Sequence, residues 1–390
     1  MKKLILSLSV LSLLFASCSE DNDETVATPK APVTGEIKGD ITTNQNYVLG
    51  TYTLKGIVKV KAGATLTIEA GSKITSTLAD GTIDALVVEN GGKLIINGTA
   101  ADPVVFTESS QTPGSWGGII MYGDAPIVAV GGVTTATSED GLANPYGGTN
   151  DTHNGGTLRY VRVEYAGKKI TDGTSEMNGF SFYSVGSGTI LENLVSYKGA
   201  DDGFEFYGGT VSLVNAISYG NYDDSFDWQD GWKGQLSSNW YAYQTGTGNF
   251  GMEIESKNNN NAFWPKVTNI TLKRAAGTLT ENSSAEYDAI QFKNQGNGDY
   301  SNILIDGYTT NPSAVAVRIQ DANTNNNQVN ASKIKLTNVK INGTTPQYGG
   351  TSTVTTVAFP TGQYTTSPTS TGATLTNGAW STVNGATLLQ

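Results

Sequence analysis

The chain has one cysteine, Cys18, and one histidine, His153. No internal disulfide can form, and an ordinary zinc site, which draws on several Cys and His ligands, is excluded. Charge is scarce at 15 % of residues, and bases are outnumbered, 24 against 35 acids. A net charge of −11 argues against nucleic acid and against plain anionic membranes as partners. Beyond the first 18 residues no apolar run is long enough to span a bilayer. After Lys340 there is no charged residue at all. What the chain has in excess is glycine, 47 residues, which suits a turn-rich all-β protein.

The rest of the sequence is organised around residues 199–232. Asp201, Asp202, Phe204, Glu205 and Phe206 recur 22 residues later as Asp223, Asp224, Phe226, Asp227 and Trp228. Acid stays with acid and aromatic with aromatic. A repeat this short, with alternating residues, marks a solenoid coil. Four more lines share the register: Phe180-Ser181-Phe182, Met252-Glu253-Ile254, Ile290-Gln291-Phe292 and Val317-Arg318-Ile319. The flanking residues are apolar and the middle one is polar. Side chains alternate across a strand, so the flanks are expected in a core and the middle column in solvent.

A second column is made of asparagine. Asn193, Asn215, Asn239, Asn269, Asn302 and Asn338 each precede a short apolar run, at spacings of 22, 24, 30, 33 and 36 residues. Insertions therefore sit in loops while the Asn position stays fixed. Asn tolerates left-handed backbone, and stacked copies would form an amide ladder. The architecture expected is all-β, a right-handed parallel β-helix. Its length is no obstacle, because a solenoid grows in one dimension.

The ends read differently. Lys2 and Lys3, an apolar run and small residues up to Cys18 form a lipoprotein signal peptide over 1–17, with Cys18 as the lipid-modified residue. Residues 18–40 are expected to be an acidic tether and 41–342 the β-helix. Residues 133–156, rich in Gly, Asn, Asp and Thr, are expected to leave it as an inserted loop. Residues 343–390 form an uncharged closing coil that should cover the open strand edge.

On its motifs the chain resembles a large family of Bacteroidetes surface lipoproteins with right-handed β-helix folds. The motifs are GATLTIEAG at 63–71, WGGI at 116–119, YGG at 146–148, LRYVRVEYAG at 158–167, DDGFEFYGG at 201–209 and DDSFDWQDGW at 223–232. The acidic run Ser19–Glu24 resembles the export signal that sends such lipoproteins to the cell exterior. The resemblance implies an outer-membrane location, held by the lipid anchor alone. The broader superfamily includes pectate lyases and polygalacturonases, and fold alone does not carry their function across.

Chemistry concentrates on the two acidic lines. Neighbouring coils lie ~4.8 Å apart. Carboxylates at that distance repel by roughly 3 kcal/mol at an effective dielectric of about 20. A hard cation would relieve this, and oxygen ligands suit Ca²⁺. The candidate ligands are Asp201, Asp202, Glu205, Asp223, Asp224 and Asp227; the alternative is a solvated acidic stripe.

Catalysis is a second possibility. Glu205 and Asp227, one coil apart, match the ~5 Å of a retaining glycosidase pair, and Glu205 with Glu253 approaches the ~6.5–9.5 Å of an inverting one. Any outward column yields such separations. Polygalacturonases also need a histidine, and His153 falls in the insertion. A lyase needs a base near its calcium, and Arg318 lies four coils from Glu205. The leading expectation is a binding face for a glycan, or for a protein of an outer-membrane uptake or assembly complex. Tyr183, Tyr207, Tyr222 and Trp232 would stack on it, and Glu253, Gln291 and Arg318 would bond to it. A polysaccharide hydrolase or lyase is the alternative, and a structural adhesin or spacer the second.

Overall fold

The computed structural model describes residues 32–77, 81–168 and 177–390. The expected signal peptide, Cys18 and most of the expected tether lie outside the described residues. Alternation drives the architecture: short strands turn apolar side chains to one face and stack in parallel. Ten of them, from Ile57–Val60 to Tyr348–Gly349, form a narrow sheet. A longer sheet runs from Val33–Lys38 to Tyr364–Thr366. The first half of the strand Gly156–Glu164 pairs with residues 94–97 and its second half with 104–106. Two sides of the early coils thus fuse there into one bent strand.

The bend is where the asparagines sit. Tyr160 has φ 51°, and the six Asn have φ between 53° and 60°. The ladder is real: Asn215 Nδ2 donates to Asn193 Oδ1 at 3.0 Å, Asn239 to Asn215 at 3.0 Å, and Asn302 to Asn269 at 2.8 Å. Asparagine tolerates the left-handed turn and its side chain links the coils.

The expected register of the narrow sheet holds. Ser181 pairs with Glu205, Glu205 with Asp227, Asp227 with Glu253, Glu253 with Gln291, and Gln291 with Arg318. Phe204, Phe206, Phe226 and Trp228 fill the core. Phe180, Phe204 and Phe226 stack at 5.1 and 5.3 Å between centroids. Trp232 joins them, stacked 4.4 Å from Phe206 with its Nε1 bonded to Val211 O. It is a core residue, not a ligand-binding one.

Three expectations about the periphery are corrected. The β-helix starts before residue 41: Val33–Lys38 already pairs with Gly50–Lys55, and Ile37 is fully buried. The insertion does not depart from the helix. It begins after Tyr122 and folds onto the outer face of the narrow sheet, carrying the hairpin Ala136–Thr137 with Pro145–Tyr146. Ile127, Ala129 and Tyr146 pack there on Tyr122, Tyr183 and Tyr207. Gly208 and Gly209, at φ 65° and 83°, allow this; a Cβ on Gly208 would lie 2.4 Å from Ile127 Cγ2.

The third correction concerns residues 343–390. Tyr348–Gly349 and Tyr364–Thr366 do add a last coil. From about residue 370 the chain turns back along the outside of the long sheet. Ala373 N donates to Thr271 Oγ1 at 2.9 Å, and Arg162 donates to the carbonyls of Ala379, Trp380 and Thr382. The long sheet's outward column carries Val195, Ile217 and Tyr241, which need cover; Trp380, Val383 and Leu388 supply it. Among the described residues no helix is long and apolar enough to cross a membrane.

Candidate acidic site

The turn before each narrow-sheet strand delivers an Asp pair, and the strand delivers an outward acid. Two such lines in register, closed over by the insertion, enclose a cavity of about 270 Å³. Its lining is Glu139, Asn178, Asp201, Asp202, Glu205, Tyr207, Asp223, Asp224, Asp227 and Glu253, eight carboxylates among ten residues. All six expected cation ligands are in it. Asp202, Glu205 and Asp227 each place an oxygen within 4.8 Å of the others, as do Asp201, Asp202 and Asp223.

The middle column faces outward as expected, yet it is not in solvent. Glu205 is 6 % exposed and Asp227 9 %. Burial is therefore the first cause of every shift here, because it disfavours charge. Glu205 is pushed up to about 8, by burial and then by Glu139. Asp223 also rises to about 8, by burial and then Glu281. Asp202, Asp224 and Asp227 stand well above the carboxylate range, first from burial and then from the charges of Asp224, Asp223 and Glu205 respectively.

Hydrogen bonds meet part of the demand. Asp202 accepts from Asp224 N at 2.8 Å, and Asp224 from Phe250 N at 2.6 Å. Glu205 accepts from Asn178 Nδ2 at 2.6 Å, from Gln229 Nε2 at 3.1 Å, and from the Tyr207 hydroxyl. Asp227 Oδ1, buried against the cavity, has no hydrogen-bond partner.

A hard cation fits this donor set. The ligands are all oxygen, they converge from turns and from paired strands, and one buried oxygen has no partner. Bases reach only the edge: Lys293 is bonded to Glu253, and Lys257 to Glu255 at 2.7 Å.

The expected ligand-binding set is not brought together. Tyr183 and Tyr207 share the outward parity, but the insertion covers them, at 0 % and 2 % exposed. Glu253 is occupied by Lys293, and Gln291 donates to Gln320 at 3.3 Å. Arg318 clamps Asp288 through Nε at 2.8 Å and Nη2 at 3.0 Å. Tyr222 alone stays open, beside a separate groove with Lys168 and Glu281. His153 is buried, its Nδ1 accepting from Gly186 N at 3.4 Å, and is not in the cavity lining. Sequence reasoning missed Glu139, Gln229 and Lys293. Lys293 could have been found, two residues beyond the column residue Gln291. Glu139 carries no register and could not.

Fold and cavity together define a parallel β-helix protein with an acid-lined outer pocket. The chain belongs to the family of pectate-lyase like beta helix domains, which matches residues 35–384. No curated protein matches it. Among solved structures, the A-module of a mannuronan C-5 epimerase from Azotobacter vinelandii aligns over 80 % of this chain and 79 % of its own, at 13 % identity and a TM-score of 0.27. A likeness that low carries no argument about activity.

Proposed function

We propose that the protein is a lipid-anchored, surface-displayed β-helix that binds a glycan through a cation held in the acidic cavity. The observation that carries this is the convergence of Asp202, Glu205 and Asp227 from two adjacent coils on one buried cavity, with Asp227 Oδ1 lacking a hydrogen-bond partner. Asp202, Glu205 and Asp227 would hold the cation, with Asp201, Asp223 and Asp224 around them. Calcium bound there supplies a Lewis-acidic point for sugar hydroxyls or carboxylates. The stacking tyrosines are covered, so recognition at this cavity rests on charge and hydrogen bonds. Membership of a pectate-lyase-like family supports a carbohydrate ligand. Cys18 at the end of the apolar run supports a lipid anchor, and Ser19–Glu24 supports display on the cell exterior.

A glycan array probed with and without calcium tests this. Binding should vanish in chelator and in Asp202→Asn with Asp224→Asn. Equal binding in chelator would refute a cation-mediated site, and no binding at all would leave the adhesin or spacer reading. Cys18→Ala should release the protein from membranes, and unchanged fractionation would refute the anchor.

One observation favours an enzyme as the second reading. Burial pushes Glu205 up to about 8, and its strand partner is Asp227, so two carboxyls stand side by side as in an acid–base pair. Release of reducing ends from polysaccharide by the wild type, lost in Glu205→Gln, would establish it.

A further inference from the structure

We propose that cation binding locks the 136–146 hairpin of the insertion onto the narrow sheet, making the hairpin a cation-dependent cover over a tyrosine ladder. This rests on reading the cavity as a cation site. The seam between hairpin and sheet runs through that cavity. Glu139 comes from the hairpin, and the other nine lining residues come from the coils. Gln229 Nε2 spans the seam, donating to Glu139 Oε1 at 2.8 Å and to Glu205 Oε1 at 3.1 Å. One amide nitrogen thus bridges two carboxylates that otherwise repel.

Two further ties of the hairpin also end on carboxylates. The Tyr122 hydroxyl donates to Asp140, and Tyr146 donates to Asp230 across the seam. Among the described residues no ion pair joins residues 136–146 to the sheet. A cation beside Glu205 and the unpartnered oxygen of Asp227 neutralises this negative charge. The start of the insertion is pinned differently. Asn259 Nδ2 donates to Val128 O at 3.1 Å and Ala129 O at 2.9 Å, and Val128 N donates to Asp230 O at 2.8 Å. Those bonds are independent of the cavity.

The hairpin covers three rings on three successive coils. Tyr122 stacks on Tyr183 at 5.0 Å, and Tyr183 on Tyr207 at 3.9 Å. Tyr146 closes them edge-on, 5.0 Å from Tyr183. Opening the hairpin would lift Tyr146 off this ladder, while Ile127 and Ala129 stay packed on it. The cation thereby sets whether Tyr146 closes the ladder.

Hydrogen exchange of the intact protein, in chelator and in millimolar calcium chloride, tests the coupling, with calorimetric calcium titration alongside. Calcium should bind and slow exchange in 136–146 by up to ~100-fold at 100 times Kd, if the open form does not bind. Residues 126–129 should not respond. Glu139→Gln removes the repulsion, so its hairpin should be as protected in chelator as the wild type is in calcium. Calcium binding without any change in 136–146 would overturn the lock and leave the cation site standing. Absence of calcium binding would overturn both. Calcium-dependent exchange persisting in Glu139→Gln would also overturn the lock.

Discussion

The outer face of the narrow sheet has two halves, built from the same coil and treated oppositely. In the later coils every buried acid is given a base. Asp288 stands where Asp202 stands in its own line, and Arg318 grips it with two hydrogen bonds. Glu253 has Lys293. In the earlier coils Asp202 and Asp224 accept from backbone amides and Glu205 from side-chain amides, Asp227 Oδ1 has no partner, and among the described residues none of the four has an ion pair. Burial is similar, so solvent does not explain the difference. A pair of opposite charges completes a structure, whereas buried acids without one create a demand that a ligand can meet.

Breaking the compensated half should have the largest effect. Arg318→Met leaves Asp288, whose side chain is 1 % exposed, without its counter-charge and with only the Val315 amide bonded to it. Loss of one partner from a buried pair costs ~3–5 kcal/mol. Denaturant unfolding should show that loss, and a change below about 1 kcal/mol would mean that Asp288 is not held by Arg318. The matching cut in the other half, Asp202→Asn with Asp224→Asn, should not destabilise the chelated protein, because it removes repulsion.

Calcium should act on the uncompensated half alone. At ~100 times Kd it contributes about 2.7 kcal/mol through binding to the folded state. Chelation should lower the melting temperature of the wild type and of Arg318→Met, with no response in the Asn double variant. A wild-type protein that melts identically in chelator and in calcium has no stabilising site.

The smallest effect is on pH dependence. Glu205 and Asp223 sit at about 8 in the folded protein, above their ordinary values of 4.5 and 3.8. A raised folded value gives stability that is full below the ordinary value and lost as pH rises through about 8. His153 runs the other way, because burial lowers it, so its contribution is lost as pH falls through the folded value. Comparing chelator with calcium cancels His153. The stability added by calcium should therefore grow from pH 5 to pH 8, and a difference independent of pH would contradict the buried-acid reading.

Much of this was legible in the residues. The repeat of 201–206 at 223–228 gave the register, and strand pairing of Glu205 with Asp227 follows it. The Asn column marked a left-handed bend that recurs in each coil. The six expected cation ligands do share one cavity. What misled was parity read as exposure. Tyr183 and Tyr207 do point outward, but outward is not uncovered once a loop folds back.

By itself, then, the sequence determined the coil, its register and the line of acids. These depend on alternation and on repeats about two dozen residues apart, and such local periodicity is written in the chain. Only the tertiary structure decided which outward residues are buried. The insertion after Tyr122 and the segment after residue 370 each return to a face built by distant coils, and neither keeps the repeat. Glu139 reaches Gln229 across 90 positions, and Arg162 reaches Ala379 across 217. Contacts of that span obey no period. They are fixed by which uncovered surface, tyrosine ladder or apolar column, stands to gain most from being removed from water.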